Sequence, residues 1–419
     1  MTFNPLAERG IPLEKQLRNW SELAAPPYDK RTVHPYTRSR IIVMNGIEVE
    51  SILYSHQFHR HCDDPVVRNQ LAMIRRVEQQ QQKAVSGLVP GDETTLEHTL
   101  GYEQVAIDLT AFLASNEPDP YLKQTYDFGL LEDFDHLYRY ANLYDLLEGK
   151  DARHICDALT EITPGRPTIE EHRHPFDDVR AHYEKSTVHP ISRLHAMILV
   201  AAEQQTMNFY MNMGNRYQEP IARSLYQEIA MIEEQHVTQY GSLIDPLESW
   251  FQQHVFHEYL ECYLYWSFME QETDLRVKAL WELHLGQEIE HLRIAAEMLR
   301  TYEGIEAAEI LPAHLPPPTQ FQSMKGYVRS VLAAQVDLTA VGTGFVDRRQ
   351  LPTDSRYHAY QAVVHAGGMV PSEEVIAQRI GLRGTDYRLE TEGANPVARL
   401  QQAAPVQVGA SHAQKDGGQ

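Results

Sequence analysis

Apolar residues recur at intervals of three and four through two long stretches of the chain, residues 40–142 and 191–302. In the first, Leu71, Ile74 and Val77 mark one helical face, and Leu130, Phe134, Leu137 and Ala141 another. That spacing lays side chains along one side of an α-helix. The pattern breaks at Asp63-Asp64-Pro65, at Val89-Pro90-Gly91-Asp92 and at Glu117-Pro118-Asp119-Pro120. Proline just inside a helix start, with Asp before it, is an ordinary boundary signal. The second stretch breaks at Gly214–Pro220, Asp245-Pro246 and Glu272-Thr273-Asp274. Each stretch therefore predicts four helices joined by short turns. Gly149, Pro164, Gly165, Pro167, Pro175 and Pro190 interrupt residues 148–190, which read as a linker with one short helix near 152–162. After Leu315-Pro316-Pro317-Pro318, one amphipathic helix is expected near Met324–Ala340. The last 30 residues or so, rich in Gln, Ala and Gly, read as a flexible, disordered tail.

The chain also repeats itself. A shift of 155 residues aligns the two helical stretches without a gap, placing Pro65 on Pro220, Leu130 on Leu285, His136 on His291 and Ala141 on Ala296. A second shift, of 55, places Arg223-Ser224-Leu225-Tyr226 on Lys278-Ala279-Leu280-Trp281. The expected architecture is all-α, with two tandem four-helix bundles. Its parts are an N-terminal extension (1–38), a bundle (39–147), a linker (148–190), a second bundle (191–304), and a C-terminal helix and tail (305–419).

Two Glu-x-x-His motifs, Glu233/His236 and Glu288/His291, carry the chemistry. Residues i and i+3 share a helix face, so each pair can hold one metal ion. Glu203 and Glu258 stand 30 residues before the two motifs, with a turn about midway. A leg of about 14 residues runs about 21 Å out and the same distance back, so all four helices bring these side chains to one height. Leu199, Met207, Ile229, Val237, Leu292 and Ala295 flank them. Carboxylates among such neighbours need a cation to offset desolvation. Glu261, one turn after Glu258, competes with it for the third-helix position.

This pattern resembles the ferritin-like di-iron carboxylate superfamily, in which two helices give one Glu each and two others a Glu-x-x-His each. The resemblance covers residues 195–300. It implies one iron at Glu203, Glu233 and His236, and a second at Glu258, Glu288 and His291. Glu233 and Glu288 would bridge, with Glu203 and Glu258 terminal. Shifted back by 155, the set becomes Glu48, Glu78, Gln81, Glu103, Asp133 and His136. Gln replaces a His and Asp a Glu, so this site is expected to be degenerate. A single-metal site, a weak pair and a metal-free polar core all fit, the last favoured.

His254 and His284 precede Glu258 and Glu288 by four residues, as orienting donors or as polar core. His172, His174, His182 and His189 fall in the linker, read as a solvated loop or a lid. Tyr210, Tyr226, Tyr240, Tyr259, Tyr263, Tyr265 and Trp281 follow helical spacing and read as core.

Charge narrows the partners. With 58 Asp+Glu against 37 Lys+Arg the net charge is −21, unsuited to nucleic acid or an anionic membrane. No apolar h-region opens the chain and no uncharged run approaches a membrane span, so a cytoplasmic location is expected. Cys62, Cys156 and Cys262 make no CxxC pair, which leaves no built-in rubredoxin. Carboxylate-rich sites with one His per ion favour iron, with manganese or a mixed Fe/Mn pair as alternatives. The expected function is an oxidase or oxygenase that activates O2 to oxidise a small organic substrate, fed by a separate reductase. A homodimer is compatible. The alternatives are a rubrerythrin-like peroxidase or ferroxidase acting on H2O2 or iron, and a scaffold with structural metals.

Overall fold

The computed structural model describes residues 3–312 and 314–401; the expected tail is corrected for residues 390–401, which are ordered with Asn395 and Leu400 buried, and its remainder lies outside the described residues. Eight long helices dominate: α1 (Pro35–Arg60), α2 (Pro65–Ser86), α3 (Thr95–Asn116), α4 (Pro120–Glu148), α5 (Pro190–Met213), α6 (Pro220–Gly241), α7 (Trp250–Gln271) and α8 (Leu275–Glu303). Their starts, 35, 65, 95 and 120 against 190, 220, 250 and 275, each differ by 155. The ends of the helices repeat too. His34 and His189 accept hydrogen bonds from the backbone N–H two residues on, and Asp119 and Asp274 cap α4 and α8. Gly149 and Gly304 close those two helices at φ of 64° and 70°, a left-handed conformation that glycine adopts without strain.

Each pair of consecutive helices forms an antiparallel hairpin, but the hairpins do not associate in chain order. α1 and α2 pack with α7 and α8, and α3 and α4 pack with α5 and α6. Both four-helix groups therefore draw half their helices from each repeat, and the division into a bundle at 39–147 and another at 191–304 is corrected. The 55-residue repeat explains the difference: every hairpin offers a similar apolar face and similar polar positions, so helical pattern does not say which hairpins pair. α1, α3, α5 and α7 also pack on one another at the seam. There the Gln205 side chain donates to the Ile42 carbonyl at 2.9 Å, and a Cβ at Gly46 would collide with that amide.

The linker is not a solvated loop. Its residues 163–173 are mostly buried and dock along α4. Gly165 N–H donates to Asp135 Oδ1 at 3.0 Å, Arg166 N–H to the Leu131 carbonyl at 3.0 Å, and the Thr168 hydroxyl to Asp135 Oδ2 at 2.7 Å. Buried carboxylates on α4 compensate polar groups that a loop of this composition would ordinarily leave in water. Short helical turns occur at Arg153–Cys156 and Thr168–Glu171.

The C-terminal region holds more than the single expected helix. α9 (Lys325–Gln335) leads into an antiparallel pair, β1 (Leu338–Val341) and β2 (Gly344–Asp347), then α10 (Arg356–Val364) and α11 (Pro371–Arg383). α11 lies on α4 and α6 and buries Val375 and Ile376. Arg139 on α4 pairs with Glu373 at 3.0 Å and Arg379 with Asp145 at 2.9 Å. Elements this short and this dependent on ion pairs to the bundle leave little periodic signal. Among the described residues no helix is long and apolar enough to cross a membrane.

Candidate metal centres

Two buried clusters of carboxylates and imidazoles lie in the two helix groups. Centre I gathers Glu103 from α3, Asp133 and His136 from α4, Glu203 from α5, and Glu233 and His236 from α6, each no more than 1% exposed. Their ligand atoms fall into two sets, Glu103/Asp133/His136/Glu233 and Asp133/Glu203/Glu233/His236, within which all atoms lie inside 4.8 Å of one another. Asp133 and Glu233 belong to both sets, the position of bridging carboxylates. Glu103 and Glu203 belong to one each.

Centre II gathers Glu48 from α1, Glu78 and Gln81 from α2, Glu258 and Glu261 from α7, and Glu288 and His291 from α8. It too divides into two sets, Glu78/Glu258/His291 and Glu48/Glu261/Glu288, with no member in common. The Gln81 amide donates to Glu288.

The expected ligand sets are thus redistributed. Glu203, Glu233 and His236 do not meet Glu258, Glu288 and His291; they meet Glu103, Asp133 and His136 from the supposedly degenerate copy. The degenerate residues Glu48, Glu78 and Gln81 face Glu258, Glu288 and His291. Glu233 belongs to both sets of centre I, with Asp133 as its counterpart where the sequence had suggested Glu288. Glu258 and Glu261 both reach centre II, one in each set.

Groups around the clusters set the orientation of the imidazoles. His136 Nε2 donates to Glu171 at 2.8 Å, and His236 Nε2 to Glu132 at 2.7 Å. Nδ1 of each ring is then turned inward, 3.1 Å from Glu233 for His136 and 3.3 Å from Glu233 and Asp133 for His236. A carboxylate on the outer nitrogen orients each ring, so the inner nitrogen, protonated and donating to Glu233 while no ion is bound, is the one that exchanges its proton for an ion. Glu132 in turn accepts from Arg166 at 3.1 Å and Arg173 at 2.7 Å. In centre II the outer nitrogen of His291 meets a neutral group, Gln16 Oε1, at 2.7 Å. Sequence reasoning missed Glu132, Glu171, Arg166, Arg173 and Gln16. Of these only Glu132 sits in a helical pattern, beside Asp133; the others lie in segments without periodicity.

Tyrosines touch both centres at positions related by the 55-residue shift. The Tyr210 hydroxyl donates to Glu103 at 2.5 Å, and Tyr265 donates to Glu48. His284 Nδ1 stands 3.0 Å from the Tyr265 hydroxyl and His254 Nδ1 3.3 Å from Glu258, so both rings lie beside centre II. Burial pushes each of these histidines down to about 3, keeping them neutral. Of the linker histidines, His172 is buried 3.4 Å from Glu228, while His174 and His189 cap helical turns.

Burial dominates the electrostatics. It pushes Glu203 and Glu78 up to about 7 and Glu171 to about 8, and raises Glu103, Asp133, Glu48, Glu258 and Glu261 well above the ordinary carboxylate range. Glu233 is the exception in centre I. Burial pushes it up, but hydrogen bonds from His136 and His236 outweigh this and hold it at about 2. Glu132 feels the same burial, and Arg173, His236 and Arg166 hold it far below the carboxylate range.

Whether the residues suit metal ions is decided by their unused atoms. Glu103 Oε2, both Asp133 oxygens and Glu203 Oε2 are buried without a hydrogen-bond partner in centre I. In centre II the same holds for Glu48 Oε2, Glu78 Oε2, Gln81 Oε1 and both oxygens of Glu258 and Glu261. Buried polar atoms are otherwise almost always satisfied. So dense a group of orphaned oxygens, aimed at one another, fits cations. Elsewhere, a largely apolar cavity of about 630 Å³ is lined by Phe112, Ile191, His195, Tyr263, Leu311 and Pro316 among others. His195 there is held by Glu117 at 2.7 Å, and no member of either cluster lines the cavity. Comparison with protein-family models, curated proteins and solved structures finds no match to the chain.

Proposed function

We propose that the protein is a dinuclear-metal oxidoreductase of the ferritin-like kind, with centre I as its working site. The observation that carries this reading is the centre I donor set: four carboxylates and two inward-facing imidazoles on four helices, two of the carboxylates common to both halves. Four carboxylates balance two divalent cations, so a filled centre buries no net charge. Oxygen-rich sites with one imidazole per ion suit iron or manganese. Such a pair, when bound, supplies the two electrons that reduce O2 or H2O2.

The chain's own residues do the rest. Glu103, Asp133, His136, Glu203, Glu233 and His236 would hold the ions. Glu132, clamped by Arg166 and Arg173, and Glu171 orient the two imidazoles. Tyr210 steadies one oxygen of Glu103 and leaves the other free. The site is closed off from bulk water, each donor being no more than 1% exposed. Oxidation of a small organic substrate, with electrons from a separate reductase, is the reaction class this supports best.

The test is direct. The full chain is purified, its metal content measured, and the anaerobically reduced protein mixed with O2 and with H2O2 while metal oxidation is followed optically. Metal content that falls in His236→Ala, with rapid oxidation of the parent protein by O2, supports the proposal. Failure to bind metal would sink it. Metal that neither oxidant touches would reassign the centres to a structural role.

A further inference from the structure

Centre II departs from centre I at three points, all on one side. Where centre I has His136, centre II has Gln81. Where centre I shares Asp133 and Glu233 between its halves, the two donor sets of centre II have no common member and touch where Glu288 Oε2 lies 2.8 Å from His291 Nδ1. And centre II holds an extra buried carboxylate, Glu261, neither of whose oxygens has a hydrogen-bond partner.

From these, and resting on the reading that the clusters hold metal, we propose that centre II contains two unlike cation seats. The first, Glu78/Glu258/His291, has one nitrogen donor and two carboxylates. The second, Glu48/Glu261/Glu288, has only oxygen donors and takes a hard divalent cation of the Mn2+, Mg2+ or Ca2+ class.

Donor chemistry argues for this. Imidazole favours the borderline ions iron and zinc, whereas a seat of carboxylates and carbonyls suits hard ions. The Gln81 amide donates to Glu288 through its nitrogen, and its oxygen is buried and unpartnered, adding a neutral oxygen beside the second seat. The Tyr265 hydroxyl donates to one Glu48 oxygen and leaves Glu48 Oε2 without a partner. Five carboxylates surround the two seats, against four in centre I. Two divalent ions neutralise four of them, so centre II retains one more negative charge. That excess favours an ion held mainly by electrostatics on oxygen donors over one that draws its affinity from a nitrogen donor.

The experiment uses the full chain, stripped of metal and then exposed to Zn2+ together with a large excess of Mn2+, which offsets the weaker intrinsic affinity of Mn2+. Crystals are measured at wavelengths on either side of the two absorption edges, so that each ion is identified at its position. The expected result is Zn2+ beside His136, His236 and His291, and Mn2+ at Glu48/Glu261/Glu288. Zn2+ at all four seats, or a filled His291 seat beside an empty oxygen seat, would overturn the proposal. If centre I is empty as well, it is the underlying metal-binding reading that has failed. Two variants sharpen the outcome. Gln81→His, which restores the nitrogen donor, should switch the second seat from Mn2+ to Zn2+. Glu261→Gln should remove the Mn2+ while leaving the three Zn2+ positions filled. Loss of Zn2+ from the His291 seat in parallel would show that the seats are not separate. Far-ultraviolet circular dichroism establishes that both variants are folded.

Discussion

Glu132 offers the sharpest test of how centre I is built. It is no ligand, yet three buried groups converge on it: His236 Nε2, Arg166 and Arg173. In Glu132→Gln the shape is kept and the charge removed. Arg173 retains a second carboxylate partner, Asp178 at 2.7 Å, whereas Arg166 keeps only carbonyl acceptors, Phe128 at 2.7 Å and Gln335 at 3.3 Å. One stranded buried cation costs about 3–5 kcal/mol. With an unfolding entropy of about 2 cal/mol/K per residue over 419 residues, that lowers Tm by about 4–6 °C. Loss of the carboxylate that orients His236 weakens metal binding by about 10–100-fold. Thermal unfolding of the metal-free protein reads the first effect, and competition with a chelator of known affinity reads the second. A fall in Tm with unchanged affinity would refute the orienting role. Unchanged Tm would show that Arg166 does not depend on this carboxylate.

Asp108 should make stability depend on pH. Burial pushes it up to about 7, against hydrogen bonds from Thr160 at 2.7 Å and Tyr36 at 3.1 Å. A folded-state value above the ordinary ~3.9 means stability that is complete below about pH 4 and lost as pH rises through about 7. Above pH 7 the loss levels off at about 4 kcal/mol, so Asp108→Asn should gain on the parent protein steadily between about pH 4 and 7; a constant difference in Tm across that range would contradict this. Gly165→Ala should undock the linker, because its Cβ would land on the Leu131 carbonyl and the Asp135 backbone nitrogen. A cost of about 1–3 kcal/mol in urea unfolding, with faster proteolysis between residues 160 and 175, is expected; wild-type behaviour in both would refute the close approach. Tyr210→Phe deprives Glu103 of its buried donor and should cost about 1–3 kcal/mol without altering helix content by circular dichroism. No change in stability would mean that Tyr210 is not paired with Glu103.

Much of this structure could be read from local pattern. The turns at Asp64-Pro65, Asp119-Pro120 and Glu272-Thr273-Asp274 carry their own caps, so the eight helices and their 155-residue repeat were legible. So were the thirteen polar positions that line the two centres. Their grouping was not. Glu203, Glu233 and His236 carry half a centre on one hairpin, and nothing within that hairpin states whether the other half comes from residues 103–136 or 258–291. That choice is made by packing at the seam, through contacts such as Gln205 with Ile42. Glu171, Arg173 and Gln16 were invisible for another reason: they lie in irregular segments and are recognisable only by what they touch.

The crossed association of hairpins has a consequence for how the two centres can diverge. Written as halves, the first hairpin of each repeat pairs with the second hairpin of the other, which is the connectivity of two identical subunits that have exchanged arms. In such a homodimer every substitution would appear twice, once in each centre, and the centres would remain twins. Joined in one chain, they are coded separately. Gln81 can alter one centre while His136 stays in the other, and an added linker can supply Glu171 and Arg173 to a single side. The covalent connection therefore permits a division of labour between two sites of common design that no symmetric assembly of half-length chains could sustain.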